Sequence, residues 1–291
     1  MSQAERAASE TQNIPVPIWA SNSINGDVTQ ILPALEEGIP ITLITSFDLI
    51  TCELDDPMEE VLSRSDLQGF DYIPVRDESE SVVGVLVHQD ALKPNEPVRA
   101  VMRQLHPSML ISADASLLSF VAEVDQTPFC LVVRGREIAG IVTLSDLQKL
   151  PVRPVLFMLI TSVELLLAEW LRQNYPNEED WLCKVEPNRR PRIEKKWQDL
   201  QKSNMAIDRI STTDFRDKRD AALNLGAFSG LENEAKRKLE AIGKLRNSVA
   251  HAGDYALTPT TAKDVAQTVR WARELIHMLQ SQIMSNQSQT N

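Results

Sequence analysis

A chain of 291 residues is long enough for about two domains, each with its own apolar core. Its 43% hydrophobic content is ordinary for a globular protein, and a formal net charge of −11 argues against a surface that is basic throughout. The charge is uneven. Residues 1–150 carry 9 Lys+Arg against 23 Asp+Glu, whereas residues 151–291 carry 21 against 18, so the chain divides into an acidic front and a mildly basic back with two jobs. Cys52, Cys130 and Cys183 lie far apart with no C-x-x-C pair, which is neither a disulfide framework nor a zinc site and fits a reducing compartment. The polar N-terminus leads into no apolar run, so no signal peptide is expected. The longest apolar run, Val155–Ala168, contains Thr161, Ser162 and Glu164 and reads as too short and too polar to span a bilayer. A cytoplasmic protein without a membrane partner is the expectation.

Residues 1–25 are polar, with Pro15 and Pro17, and read as a loose leader. A short helix is predicted over Asp27–Glu37, capped by Asp27 and ended by Gly38 and Pro40, followed by a strand over Ile41–Thr45. An internal repeat comes next. Strand Tyr72–Arg76, turn Asp77–Ser81 and strand Val82–Val87 lead into a helix starting at His88. The same order recurs 56 positions on, through Cys130, the turn Arg134–Glu137, strand Ile138–Thr143 and a helix from Leu144. Gly84 falls on Gly140 and Asp90 on Asp146, and each unit is preceded by a predicted helix, Met58–Arg64 or Leu117–Asp125. Each half alone leaves a sheet face uncovered, so the two are expected to pack on one another.

Over residues 41–150 these features resemble a tandem pair of CBS domains. In that family Gly-φ-x-Thr/Ser-x-x-Asp lines an adenine-nucleotide cleft, its Asp on the ribose hydroxyls and its Thr or Ser at the phosphate. Gly140-Ile-Val-Thr143-Leu-Ser-Asp146 matches throughout, while Gly84-Val-Leu-Val87-His-Gln-Asp90 keeps the carboxylate but has Val87 at the hydroxyl position. The resemblance implies AMP, ATP or a cyclic adenine nucleotide as regulatory ligand, held by Thr143 and Asp146, with a second candidate at Asp90. Two readings fit the residues themselves. A Thr hydroxyl beside free helix N–H groups suits a phosphate, and Thr-x-x-Asp is equally a helix N-cap with a first-turn acid.

From Pro154 onward the pattern is helical: Val155–Gln173, Pro187–Lys202, Thr213–Leu225, Leu231–Ala252 and Thr261–Met284, an antiparallel bundle with a frayed tail at 285–291. On the fourth of these, Ala235, Leu239, Ile242, Leu245 and Val249 define the buried face, with Gly253 as a natural end. Arg246 projects into that apolar sector, where an unpaired guanidinium is costly; Glu164, the lone carboxylate of the apolar first helix, is the expected partner. Asn247 and His251, at i and i+4, share the neighbouring polar face. The residues alone allow a structural Arg246–Glu164 pair with His251 at a favourable helix terminus, or a phosphate-handling Arg, Asn and His. Lys236–Lys238 and Arg189–Lys196 are either backbone contacts for RNA or solvated faces balanced by Glu232, Glu234, Glu240 and Glu194. His88, His106 and His277 show no partner spacing, and Trp170, Trp181, Trp197 and Trp271 read as core.

Arg246-Asn-Ser-Val-Ala-His251 within an all-helical segment, residues 154–284, resembles the HEPN family, whose signature is Arg followed by four to six residues and His. Many of its members are metal-independent endoribonucleases that act as dimers. The resemblance implies His251 as general acid or base, Arg246 on the transition-state charge, Asn247 as orienting group, RNA as substrate, a homodimer and no metal. Tyr255, four residues after His251, does not match the modified tyrosine two residues after the histidine in some HEPN toxins. The expected fold class is α+β: a leader and short helix over 1–40, tandem α/β repeats over 41–150 and a helical bundle over 154–284. The expected function is a nucleotide-regulated endoribonuclease, the alternative a non-catalytic nucleotide-sensing scaffold. The connection Lys149–Pro154, with two prolines, is stiff enough to transmit a change between the halves.

Overall fold

The computed structural model describes residues 32–90, 96–203, 207–251 and 254–290. The predicted leader, the first part of the 27–37 helix and Gly253 lie outside the described residues. The fold is α+β, with two small sheets in front and helices behind. After a helical segment at 32–37 (α1), the first repeat runs β1 (Cys52–Glu53), α2 (Met58–Ser63), β2 (Tyr72–Arg76) and β3 (Val82–Val87). The second runs β5 (Leu110–Ser112), α3 (Leu117–Glu123), β6 (Phe129–Arg134) and β7 (Glu137–Thr143). Between them lies β4 (Arg103–Gln104). In each repeat a parallel pair, β1 with β2 or β5 with β6, is extended by an antiparallel hairpin strand, β3 or β7. The short strands β1, β4 and β5 have no sequence signal, because two or three residues carry no alternation to detect.

Each repeat is completed by the segment that leads into the other. Ile41–Thr45, predicted as a strand, is instead a 3-10 turn over Ile41–Leu43, with Ser46 bridged antiparallel to Ile141 of the second repeat. A matching 3-10 turn at Val98–Ala100 leads into β4, which pairs with β3 of the first repeat. Glycine at the repeated position makes both approaches possible. A Cβ on Gly140 would sit 2.5 Å from Thr45 Cγ2 and 2.7 Å from the Ser46 carbonyl oxygen, and one on Gly84 would sit 2.5 Å from the Arg103 carbonyl oxygen. The helices predicted from His88 and Leu144 are single 3-10 turns over the described residues, His88–Asp90 and Leu144–Gln148. The two sheets face each other through Val85, Phe129 and Leu131, with Tyr72 stacked on Phe129 at 4.4 Å.

The bundle comprises α4 (Val152–Asn174), α5 (Glu178–Leu182), α6 (Arg190–Lys202), α7 (Phe215–Asn224), α8 (Glu232–Ala250) and α9 (Pro259–Thr290). Helix α5 and its Asn177 cap are an addition to the predicted set. The apolar run at Val155–Ala168 is the middle of α4, which at 23 residues is long and apolar enough to cross a membrane by length and composition, contrary to the sequence expectation. Its 18-residue apolar window is 61% buried, against α7, α8 and α9. Trp170 and Trp181 are core, as expected, whereas Trp197 and Trp271 are half-buried beneath the guanidinium groups of Arg209 and Arg237.

The boundary at residues 150–154 does not separate two cores. One apolar cluster runs from Leu35 through Leu117 and Val121 of α3 to Leu159 of α4 and Leu275 of α9, while the first repeat keeps a separate cluster around Met58, Ile73 and Val98. Polar contacts seal the same seam. Arg270 of α9 pairs with Asp125 at 2.7 Å and donates to the Ala122 carbonyl, and Arg273 reaches Glu36 at 2.5 Å.

Hydrogen bonding from Arg270 holds the Asp125 carboxyl below the ordinary carboxylate range, more than offsetting its partial burial. A depressed folded-state pKa adds stability above the unfolded value, about 3.9 for Asp, which is lost as pH falls through the folded value. Asp125→Asn should therefore lower stability by roughly 1.5–3 kcal/mol at pH 7, with the gap to wild type narrowing as pH falls below the unfolded value; urea melts across an acid pH series measure it. Burial raises the Cys52 thiol to about 12 and that of Cys130 to about 11, while Cys183 is exposed. The native protein should thus consume one equivalent of a thiol reagent rapidly, and Cys183→Ser should abolish that fast phase.

Candidate functional site

Helix α8 buries the predicted face, Ala235, Leu239, Ile242, Leu245 and Val249, against the bundle. Arg246 lies at the edge of this face with its side chain 36% exposed. The expected partner is present: Arg246 Nε is 3.6 Å from Glu164 Oε2. Glu164 has a closer cation, however. The buried Lys218 of α7 donates to Glu164 Oε1 at 3.0 Å and to the Thr213 carbonyl at 2.6 Å. Lys218 is the closer counter-charge of this partly buried carboxylate, and Arg246 is its looser, more exposed partner. Sequence reading missed Lys218, since a lysine on a charged helix is normally a solvated one.

Asn247 is exposed, and His251 is the exposed residue just past the last turn of α8; its backbone N–H donates to the Asn247 carbonyl at 3.0 Å. The helix therefore ends at the histidine, before Gly253. Arg246 and Asn247 open onto a groove of about 570 Å³ between α7 and α8, and His251 is outside its lining. Arg189, Arg216, Arg219 and Lys244 line it as well, against Asp214 and Glu240. Most of these cations are already matched. Arg189 pairs with Asp214 at 2.9 Å and with the buried Asp217, whose hydrogen bond pushes the guanidinium pKa up. Arg216 pairs with Glu186 at 3.0 Å and Arg219 with Asp220 at 2.6 Å. Lys244 has no carboxylate partner among the described residues. Arginines fixed by such pairs keep outward N–H groups in set positions, a preorganised surface for phosphate oxygens.

The other basic clusters are largely structural. Lys238 is 9% exposed and pairs with Glu234 at 2.8 Å and Glu274 at 2.5 Å; Arg190 donates to the Val185 and Cys183 carbonyls. His106 caps a 3-10 turn by accepting from the Ser108 N–H, and His88 and His277 are exposed. Among the described residues no group of three or more His, Cys, Asp or Glu side chains is placed to hold a metal ion.

At the second-repeat motif, Asp146 is 7% exposed and caps the turn it begins. Its Oδ2 accepts from the Thr143 N–H at 2.6 Å and hydroxyl at 3.2 Å, and its Oδ1 lies 2.7 Å from Lys149 Nζ. Asp90 is held at 2.8 Å by Arg103. Each carboxylate holds a basic side chain of its own chain, Asp146 nearly buried and Asp90 in an exposed pair. Of the two readings open to Thr143 and Asp146, the capping geometry is the one present.

No protein-family model matches the chain, and no curated protein matches it. Among solved structures, it is similar to an uncharacterized conserved protein from Pyrococcus horikoshii, at 19% identity over 38% of this chain and 91% of the other, with a TM-score of 0.35. It is similar also to the CBS domain of a bacterial CNNM/CorC-family Mg2+ transporter in complex with ATP, at 20% identity over 43% and 94% of the two chains and a TM-score of 0.34. A third is a conserved CBS domain protein of unknown function from Thermoplasma acidophilum, at 22% identity, 43% and 75% coverage and a TM-score of 0.33.

The different settings of Lys218 and Arg246 predict different costs. Lys218→Ala removes a buried ammonium from a partly buried carboxylate and should destabilise the fold by roughly 2–4 kcal/mol. Arg246→Ala removes a half-exposed pair at 3.6 Å and should cost less than about 1 kcal/mol. Thermal and urea melts of the two variants test this; an Arg246 loss as large as that of Lys218 would make the arginine structural.

Proposed function

We propose that the protein is a cytoplasmic, adenine-nucleotide-regulated endoribonuclease that acts as a homodimer, with Arg246, Asn247 and His251 at its reacting centre. The observation that carries this reading is the placement of Arg246 and Asn247 on a cation-lined groove, with Lys218 as the closer cation to Glu164. Phosphodiester backbone fits a groove of that charge.

In this reading His251 takes the proton from a ribose 2′-hydroxyl, whose oxygen attacks the adjacent phosphorus. The bond from phosphorus to the 5′-oxygen breaks, the leaving oxygen is protonated, and the products are a 2′,3′-cyclic phosphate and a 5′-hydroxyl. Arg246 offsets the charge that builds on the non-bridging oxygens, and Asn247 orients the phosphate. No step calls on a metal ion.

A second copy is proposed to complete the site, because His251 does not line the groove of its own chain. The surface proposed for it is Pro154, Phe157 and Met158 on the first half of α4 together with Leu150 just before the helix, all exposed, Leu150 to 80%. It adjoins the catalytic end, since Arg153 in the same turn donates to the Val249 carbonyl at 3.1 Å.

The non-catalytic scaffold remains the competing reading, favoured by the number of groove arginines already paired with carboxylates. Incubation with total RNA in the presence of a chelator separates the two. Cleavage leaving cyclic phosphate ends should fall roughly 10²–10⁴-fold in His251→Ala and about 10²–10³-fold in Arg246→Ala, with melting temperatures near wild type. Absence of cleavage by the wild type, or cleavage surviving in both variants, removes the assignment. Phe157→Asp should shift the sedimentation of the protein to that of a monomer and lower cleavage with it.

A further inference from the structure

The Lys149 ammonium is the meeting point of three parts of the chain. Besides its 2.7 Å contact with Asp146 Oδ1, it donates to the Ile44 carbonyl at 2.6 Å and to Ser46 Oγ at 3.1 Å. An ammonium has three N–H donors, and all three are used. Ile44 and Ser46 belong to the segment that completes the second sheet, so the lysine ties that segment to the motif turn. Asp146, with Thr143 on its other oxygen, is enclosed on both sides. The lysine stands where a ligand offering donors to Asp146 would stand.

The same turn and the start of α4 hold the chain on the two sides of His251. Downstream, the buried Tyr255 hydroxyl donates to the Leu147 carbonyl at 2.8 Å. The Gln148 side-chain oxygen, in the amide orientation that satisfies both its ends, accepts from the Ala256 and Leu257 N–H groups at 2.8 and 3.3 Å. Upstream, Arg153 donates to the Ser248 and Val249 carbonyls in the last turn of α8 and lies over the Tyr255 ring at 5.3 Å. Leu147 and Gln148 thus hold the chain four to six positions after His251, and Arg153 holds it two to three positions before.

We propose that Lys149 is a tethered internal ligand of the Asp146 turn, and that its displacement by the ribose diol of an adenine nucleotide is the event that repositions His251. Two hydroxyl donors replace one ammonium on the carboxylate, and Ile44 and Ser46 lose their shared donor. The lysine contact is charge-assisted, so it sets a threshold that a nucleotide must exceed. The proposal rests on the preceding reading for the adenine nucleotide and for His251 as the end that matters, and not on RNA cleavage.

The test uses the full chain and no RNA, so its failure is distinct from failure of the ribonuclease reading. Calorimetric titration with AMP and with ATP should show about tenfold tighter binding to Lys149→Met than to wild type. Lys149→Arg should bind as wild type does, and the double variant with Asp146→Asn should lose the gain. Proton–carbon NMR of the four histidine rings supplies the second readout. The His251 signal should move in Lys149→Met and in wild type saturated with AMP, while those of His88, His106 and His277 stay in place. Adding Tyr255→Phe should keep the affinity gain but uncouple the His251 signal. If Lys149→Met fails to fold, Asp146→Asn alone frees the lysine and should move the same signal. Equal affinities in wild type and Lys149→Met, no binding to either, or a stationary His251 signal would overturn the proposal.

Discussion

The apolar contact of α3 with α4 and α9 is the constraint on which the rest of the molecule depends. Helix α4 alone buries twelve residues, mostly Leu, Val and Ile, and each fully buried aliphatic side chain contributes about 1.5–3 kcal/mol. Because the second repeat shares this core, it cannot rotate against the bundle without exposing apolar surface. The first repeat has a smaller cluster of its own and meets the second through a thin layer around Tyr72 and Phe129. Any change of state is therefore expected within the front pair or at short contacts such as Lys149 and Tyr255, not as hinge motion between the halves.

Burying so much of the bundle obliges its charged groups to find partners, and those partners shape the groove. Glu164 in the middle of α4 requires a cation, which Lys218 supplies. Asp217 is buried and takes Arg189. Burial pushes Asp208 up, but hydrogen bonds from Arg172 and Ser211 more than offset this and hold its carboxyl low. Each pair answers a desolvation cost first. The by-product is a wall of arginines locked in orientation around Arg246 and Asn247, with one lysine, Lys244, left without a carboxylate among the described residues.

Coupling between two sites requires an element that both of them bias. The turn Leu144–Gln148 meets that requirement by position. It carries Asp146 on one side and, through Leu147 and Gln148, holds residues 255–257 on the other. Only three residues separate it from the first turn of α4, where Arg153 caps α8. The proline-stiffened connection expected from sequence is thus a short, heavily bonded joint.

The sequence by itself determined the α+β class, the 56-residue repeat, the helical back half and the buried face of α8. These depend on local periodicity and turn chemistry, which survive in any context. It also pointed to Arg246 with Glu164, because an arginine in an apolar sector and a lone carboxylate in an apolar helix each need a partner. Only the tertiary structure decided that Ile41–Leu43 is a 3-10 turn serving the other repeat's sheet, since a five-residue apolar run does not specify whose edge it covers. Only the fold, too, could give Glu164 to Lys218 before Arg246, and Asp146 to Lys149 before a ribose. Glu164 and Lys218 are 54 positions apart, and Lys149 is aimed by its hydrogen bond to the Ile44 carbonyl, 105 positions away, so no pattern read along the sequence contains those choices.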